Sequence, residues 1–404
     1  MTEKAIEERT KETAKEEASA VFGWIPERDQ DRVLTDEEAR EYEKELEEFK
    51  AHKRRKHQQM QYMQNLPYEI KVARAKIRIR EFIETCASMG YETHVSVGGL
   101  DSITLLCFIR SLGYNIPAVS VSALEDASIA KIHRQLGVIM LAPGKSKQKV
   151  LQEDGFPVIS KKTAGKISAL QNPTPKNATM RHAIITGECG AKGHFATNSR
   201  MKLAQKWLEI FGGYENEAEG VNYKKPPFKV SNKCCEIMKE KPCDKWAKEH
   251  NSKPFLGLMA SEGGQRADAL EEHGCNYYGK TVIRSAPFAP FLRNDILQLA
   301  LDLNVPVPEI YGEIKRDEAG SLYTTGAQRT GCEMCGFGVH IEKRPHRFDR
   351  LYDRNPKAWE YWMHKCCTDE EGLPFGWATV LDYIGTEWRN PEQFINGRGK
   401  RDER

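Results

Sequence analysis

Val95-Ser96-Val97-Gly98-Gly99-Leu100-Asp101-Ser102 is the stretch on which the fold turns. Tyr91-Glu92-Thr93-His94 lead into it, and together with Val95, Ser96 and Val97 they alternate β-branched and small residues as a strand does. Ile103, Leu106 and Ile109 then fall at helical spacing. Two adjacent glycines join strand to helix. Such a turn lets backbone approach a phosphate, and the helix start offers N–H groups to the anion. Asp101 can cap the helix and Ser102 can add a hydroxyl. A tight corner with no ligand is the plain alternative. The loop lacks the Gly-Lys-Ser/Thr ending of a Walker motif. It also lacks the third glycine of the dinucleotide fingerprint.

The surrounding chain repeats the same alternation. Pro117 to Ser122 reads as a second strand, Ala127 to Leu136 as a helix, and Gly137 to Leu141 as a third strand. Short connections between alternating strands and helices imply a parallel sheet with right-handed crossovers. Ligands bind such sheets beyond the carboxyl ends of the strands, where the glycine turn falls. Lys253 to Ala260 is an apolar run of buried-strand type, followed by Ser261-Glu262-Gly263-Gly264-Gln265-Arg266. Glu262 and Arg266 are four apart and would face each other on a helix. They form a surface pair, or Arg266 meets a phosphate or sulfate at a strand's carboxyl end. Ala286-Pro287-Phe288 ends a further strand, and Asp295 to Leu303 is an amphipathic helix.

Before this core, residues 1 to about 33 are charged, poor in large apolar side chains, and read as mobile or loosely helical. Thr35-Asp36-Glu37-Glu38 is a capping box that should open a long charged helix to about Gln64. Its basic end, His52-Lys53-Arg54-Arg55-Lys56-His57, suits a helix C-terminus and is also a candidate nucleic-acid or partner contact. Leu66-Pro67 interrupts it. A second helix carries Ile70, Val72, Ala75, Ile77, Ile79, Phe82 and Ile83. Residues 144–230 are less regular, with loop signals at Gln171–Pro175 and Lys224–Pro227, and a helix expected from Met201 to Phe211.

The 404 residues carry a net charge of +3, so no global field draws the chain to nucleic acid. No apolar run approaches a membrane span, and Met1-Thr2-Glu3-Lys4 opens no signal region. A cytoplasmic protein without membrane partners is expected. In a reducing compartment the eleven cysteines point to metal or redox chemistry rather than disulfides. Cys332-x-x-Cys335, flanked by glycines, is a metal-knuckle spacing. Cys234-Cys235 lies about a hundred residues upstream. Adjacent cysteines suit an iron–sulfur cubane better than one tetrahedral zinc, while zinc and redox thiol chemistry stay open. Cys366-Cys367 is a third pair. Near the end come the basic stretch Lys343 to Arg350, then Trp359, Tyr361 and Trp362 on a helix as core, then the basic tail 396–401.

Gly98-Gly99-x-Asp101-Ser102 resembles the PP-loop, Ser-Gly-Gly-x-Asp-Ser, of ATP pyrophosphatases and the phosphoadenosine phosphosulfate (PAPS) reductase family. The motif's first serine is Val97 here, and Ser96, one place upstream, points to the other face of a strand. Ile159-Ser160-Lys161, Lys233 to Lys239, Gly257 to Glu262, Thr324-Thr325-Gly326 and Arg329-Thr330-Gly331-Cys332 look like the phage- and prophage-type members of that family. That resemblance covers about residues 66 to 385, and the group is itself similar to the ATPase subunit of DNA phosphorothioation systems.

The resemblance implies a Rossmann-like adenine-nucleotide alpha-hydrolase fold. Its expected parts are a helical extension over 1–66, a nucleotide-binding α/β domain over 67–310 and a Cys-x-x-Cys and helical region over 311–404. It implies ATP and Mg²⁺, with Ser96, Val97, Gly98, Gly99, Leu100, Asp101, Ser102, Glu262 and Arg266 at the nucleotide. Asp101, Ser102 and Arg266 would be catalytic. A 4Fe-4S cluster would sit on Cys234, Cys235, Cys332 and Cys335. The implied chemistry is adenylation of an acceptor, DNA, tRNA or a small metabolite, followed by sulfur transfer, with a cysteine desulfurase as sulfur-donor protein. Arg266, Lys343, Arg344 and Arg347 are candidates for phosphates. Reduction of a sulfonucleotide is the rival chemistry. Lys365-Cys366-Cys367-Thr368 lacks the Glu-Cys-Gly-Leu-His context of the thioredoxin-dependent reductases. A degenerate nucleotide-binding or partner-binding protein is the second rival, because of Val97.

Overall fold

The computed structural model of the chain describes residues 36–121, 125–189, 197–212, 215–216, 221–222, 226–332 and 334–395. The expectations for residues 1–33, the Thr35 cap, Lys224-Lys225 and the tail 396–401 lie outside the described residues. Of the described residues, those in 49–146 and 235–333 form one compact unit, and those in 147–234 and 334–395 belong to another. No helix among them is long and apolar enough to cross a membrane.

The first unit is a six-stranded sheet. Its strands are β1 (Glu92–Ser96), β2 (Ala118–Ser120), β3 (Ile139–Met140), β4 (Ser252–Leu256), β5 (Asn276–Tyr278) and β6 (Ile283–Ser285). They lie in the order β3-β2-β1-β4-β6-β5. All neighbours run parallel except β5, which returns antiparallel on β6. The register sets Val95 beside Ala118 on one flank and beside Phe255 on the other. The chain first builds outward from β1 to β2 and β3, then crosses back to start β4 on the opposite flank of β1. This is an α/β architecture with a mostly parallel sheet, compatible with a Rossmann-like fold.

Periodicity explains which helix faces pack. Helix Tyr68–Ser88 buries Ala75, Ile79, Phe82 and Cys86, spaced four, three and four. Ile70 and Ile77, read as part of the same apolar set, face solvent because they fall off that stripe. Phe82 meets Phe255 of β4 edge-on with centroids 4.8 Å apart. Lys71 is buried on this helix, and its ammonium is satisfied by Asp295 at 2.5 Å and the Gln64 carbonyl at 3.0 Å. Helix Leu100–Ser111 buries seven of its twelve residues. Its one buried hydroxyl, Thr104, donates to the Leu100 carbonyl at 2.8 Å. The helix expected from Asp295 starts two residues earlier, at Arg293, with the Asp295 carboxylate accepting the Leu292 N–H at 2.7 Å.

At the middle of β1, His94 is 1 % exposed and bonds Ser252 across the β1–β4 pair at 2.8 Å. Burial, helped by nearby His250, holds its pKa down at about 4. A histidine kept neutral in the fold but free to charge when unfolded makes stability fall as pH drops from about 6.5 to about 4. Above 6.5 the contribution is complete. The full effect is about 3 kcal/mol. Urea midpoints at pH 7.5 and 4.5 should show this slope, and His94→Gln should flatten it.

The second unit has helices around an aromatic core. Phe156 and Trp377 meet at right angles with centroids 5.0 Å apart, and Phe211, Phe228 and Phe348 surround them. Strand Gly336–Phe337 pairs parallel with Val158–Ile159. Helix Pro356–His364 buries Trp359, but Tyr361 points to solvent, so the expected aromatic trio is not all core. The basic stretch is likewise engaged inward. Arg344 forks onto the buried Asp349 carboxylate at 2.6 and 3.1 Å, and Arg347 pairs with Glu342 and donates to the Cys335 carbonyl at 2.9 Å. These two arginines brace the start of helix Arg347–Arg354 instead of forming an open phosphate patch.

Candidate functional site

The site is built where sheet order reverses. β1 and β4 are neighbours but lead to opposite sides of the sheet, and the loops leaving their carboxyl ends flank one crevice. The glycine turn leaves β1. Gly257-Leu258-Met259-Ala260-Ser261-Glu262 leaves β4.

Hydrogen bonds fix the glycine turn from within. The Val97 N–H donates to the Val119 carbonyl at 2.8 Å, extending the sheet by one residue. The Val97 side chain is 6 % exposed and joins the core, while Ser96 is half-buried at the strand's end. The Gly98 N–H donates to Ser102 Oγ at 2.7 Å, and that hydroxyl donates on to the Gly99 carbonyl at 2.9 Å. Ser102 is thus the brace of the turn. From the side, His133 Nε2 bonds the Gly98 carbonyl at 2.8 Å. Burial lowers the His133 pKa, so the ring is neutral and donates from Nε2.

Gly257 shows why β4 must be followed by glycine. A Cβ there would lie 2.8 Å from Ser102 Cα, 2.9 Å from Ser102 N and 3.1 Å from the Asp101 carbonyl carbon. The β4 loop therefore touches backbone at the first turn of helix Leu100–Ser111. At Gly99 a Cβ would meet the Tyr311 hydroxyl at 2.5 Å and Thr330 Oγ1 at 3.0 Å. Tyr311 accepts the Leu100 N–H at 3.0 Å and shares a 2.6 Å hydrogen bond with Thr330.

Charge gathers on the same edge. Asp101 pairs with Arg293. Burial raises the Asp101 pKa, while Arg293 pulls the other way. One oxygen of Glu262 takes Arg266 at 2.7 Å and also Arg329. Three arginines thus face two carboxylates. Among the described residues, Arg293 Nε and Nη2 and Glu262 Oε2 are buried without hydrogen-bond partners. Buried polar atoms are almost always paired, so these are the atoms of this edge that call for a partner. The Glu262–Arg266 pair forms as the spacing suggests, although a turn at Gly263 separates the two residues and the helix begins only at Gly264.

Lys239 extends the edge further. Burial works against its ammonium, yet Glu125 and Cys332 beside it more than offset this and hold its pKa above the ordinary lysine value. It pairs directly with Glu125. Of the four expected metal ligands, Cys235 and Cys332 belong to this unit and Cys234 and Cys335 to the other. Among the described residues, no group of three or more His, Cys, Asp or Glu is placed to hold a metal ion.

The structure thus brings Gly98, Gly99, Leu100, Asp101, Ser102, Glu262 and Arg266 to one edge of one unit. Sequence reading missed Arg293, Tyr311 and His133. Each arrives from a distant segment with no motif of its own. Lys239, Arg329 and Thr330 had a signal, since Lys239 closes the run Lys233 to Lys239 and the other two sit just before Cys332, both runs that resemble the family.

These features define an α/β chain with a mostly parallel sheet and, at its topological switch point, buried polar atoms without partners among the described residues. No family model matches the sequence. No curated protein matches it either. Among solved structures it is similar to a phosphoadenylyl-sulfate (PAPS) reductase from Candida auris in a phosphate complex, at 9 % identity. The likeness covers 72 % of this chain and 98 % of that one, with a TM-score of 0.29, a distance at which it settles neither fold nor function.

Proposed function

We propose that the β1–β4 crevice binds the phosphates of an adenine nucleotide, ATP or a sulfonucleotide, in the manner of a PP-loop. The observation that carries this is the glycine turn at the switch point, with Arg293 donors that lack a partner among the described residues. Backbone N–H groups of the turn and the Arg293 guanidinium would hold the anion. Arg266 and Arg329, now parked on Glu262, could swing to it. Mg²⁺ arriving with the phosphates would neutralise their charge, with Asp101 and Glu262 the nearest carboxylates to share it.

The proposed reaction is cleavage of ATP between the α- and β-phosphates. An acceptor oxygen is adenylated, pyrophosphate leaves, and a sulfur nucleophile then displaces AMP. What the chain itself supplies is positioning and charge stabilisation. Burial beside Arg293 holds Asp101 in place, and Ser102 keeps the turn in shape. The acceptor, DNA, tRNA or a small metabolite, and a cysteine desulfurase as sulfur source rest on sequence resemblance alone. So does the PP-loop ATP pyrophosphatase assignment within the PAPS reductase family.

Incubation with Mg²⁺-ATP and acceptor should release AMP and pyrophosphate. Sulfite release from a sulfonucleotide would favour the reductase reading instead. Absence of both, with no heat of ATP binding, would leave a partner-binding protein.

The iron–sulfur part of the proposal rests on cysteine spacing and resemblance, and no step above passes through it. Purified without oxygen, the chain should carry about four irons. Cys332→Ser or Cys335→Ser should lose most of them, since a hydroxyl is a poor ligand for this metal. Cys366→Ser should keep them, because Cys366 is buried in the second unit's core beside Cys367. A colourless protein with one zinc would sink the cluster.

A further inference from the structure

The segment Arg329-Thr330-Gly331-Cys332 is held to the phosphate edge at two points within one unit. Arg329 pairs with Glu262 and Thr330 bonds the Tyr311 hydroxyl, with Cys332 two residues further on. The second link continues into the glycine turn, because the same Tyr311 hydroxyl accepts the Leu100 N–H. Its two ends differ in stiffness. The Tyr311 ring is 3 % exposed in the main core, and its backbone is tied to Pro308 and Gly326. Thr330 lies in irregular chain and is half-buried.

From this relay we propose that Tyr311 is a positioning residue that couples anion binding at the glycine turn to the exposure of the Cys332 thiol. The inference rests on the phosphate-binding reading of that turn. A phosphate oxygen near Leu100 draws on the same N–H and on the same phenolic proton. The ring cannot yield, since the core fixes it. The adjustment passes to Thr330, and through two residues of irregular chain to Cys332. Arg329 adds to the effect when it leaves Glu262 for the anion. A nucleotide-binding event is thereby reported to the one knuckle cysteine that shares its unit. Sulfur chemistry at Cys332, whatever its metal state, is timed to occupancy of the loop.

The test uses the full chain and inorganic pyrophosphate. Its affinity is measured by calorimetry. The alkylation rate of Cys332 is followed by peptide mass spectrometry with and without saturating pyrophosphate. Cys86, fully buried, serves as the reference for unfolding. In the wild type, pyrophosphate should change the Cys332 rate at least about fivefold. Thr330→Val cuts only the outer link. It should bind pyrophosphate within about twofold of wild type but lose that rate change. Tyr311→Phe removes the phenolic proton offered to the anion and should lose about tenfold in affinity as well as the coupling. A wild type that binds pyrophosphate yet labels at one rate overturns the coupling, and so does a Thr330→Val chain with the full response. Failure of the wild type to bind either pyrophosphate or ATP overturns the phosphate reading itself.

Discussion

Asp101→Ala is expected to cut release of AMP and pyrophosphate from ATP by about a hundred- to a thousandfold, the usual cost of removing one preorganised electrostatic group. Asp101 begins the helix after the glycine turn and is the pairing partner of Arg293. Without it, the guanidinium whose Nε and Nη2 lack partners among the described residues loses the carboxylate that orients it. The loss should fall mainly on turnover. The Asp101 side chain is 26 % exposed, and the core beneath the turn is untouched. Stability should therefore drop by only about 1–2 kcal/mol. Thermal unfolding and the steady-state rate, measured on one preparation, separate the two effects. Unchanged AMP production in a folded variant would remove Asp101 and the PP-loop reading together.

Gly257→Ala is expected to disrupt the first unit strongly. The three atoms it would strike belong to the backbone of Ser102 and Asp101, at 2.8 to 3.1 Å. Backbone at a helix start cannot rotate away as a side chain can. Either β4 shifts out of register with β1, or the glycine turn moves. Overpacking of this kind costs about 3 kcal/mol. Pyrophosphate affinity should fall more than about tenfold, because both walls of the crevice are displaced. Gly98→Ala is the control. Its added Cβ would find only Ser102 Oγ, at 3.9 Å, so the fold should survive. Comparable melting temperatures for the two variants would mean that the close approach at Gly257 is not needed.

Much of the first unit was legible in the sequence because its signals are local. The alternation through Val97, the glycine pair and the apolar spacing of Ile103, Leu106 and Ile109 specify strand, turn and helix within twenty residues. Repetition of that pattern over 117–141 implied a parallel sheet, and the structure has one. The apolar run before Gly257 read as a strand, and it is β4. The Glu262–Arg266 pair was one of the two readings that their spacing offered, and it forms. Where one-dimensional reading failed, the competing force came from outside the segment. Ile70, Ile77 and Tyr361 are apolar or aromatic by type, yet all three are exposed. Arg344 and Arg347 read as a basic patch, but carboxylates within five residues claim them.

What the amino-acid order determined by itself is the grammar of β1, the glycine turn and its helix, since backbone propensity and side-chain period act over a few residues. Only the tertiary structure decided which strand lies beside β1, and hence that the turn opens on a switch point. Only it decided that Arg293 faces Asp101, that Tyr311 caps Leu100, and that His133 fixes Gly98. Those partners come from 35 to 211 residues away. Hydrogen bonds and ion pairs act over about 3 Å of space, and nothing in a linear sequence measures that distance until the core has folded.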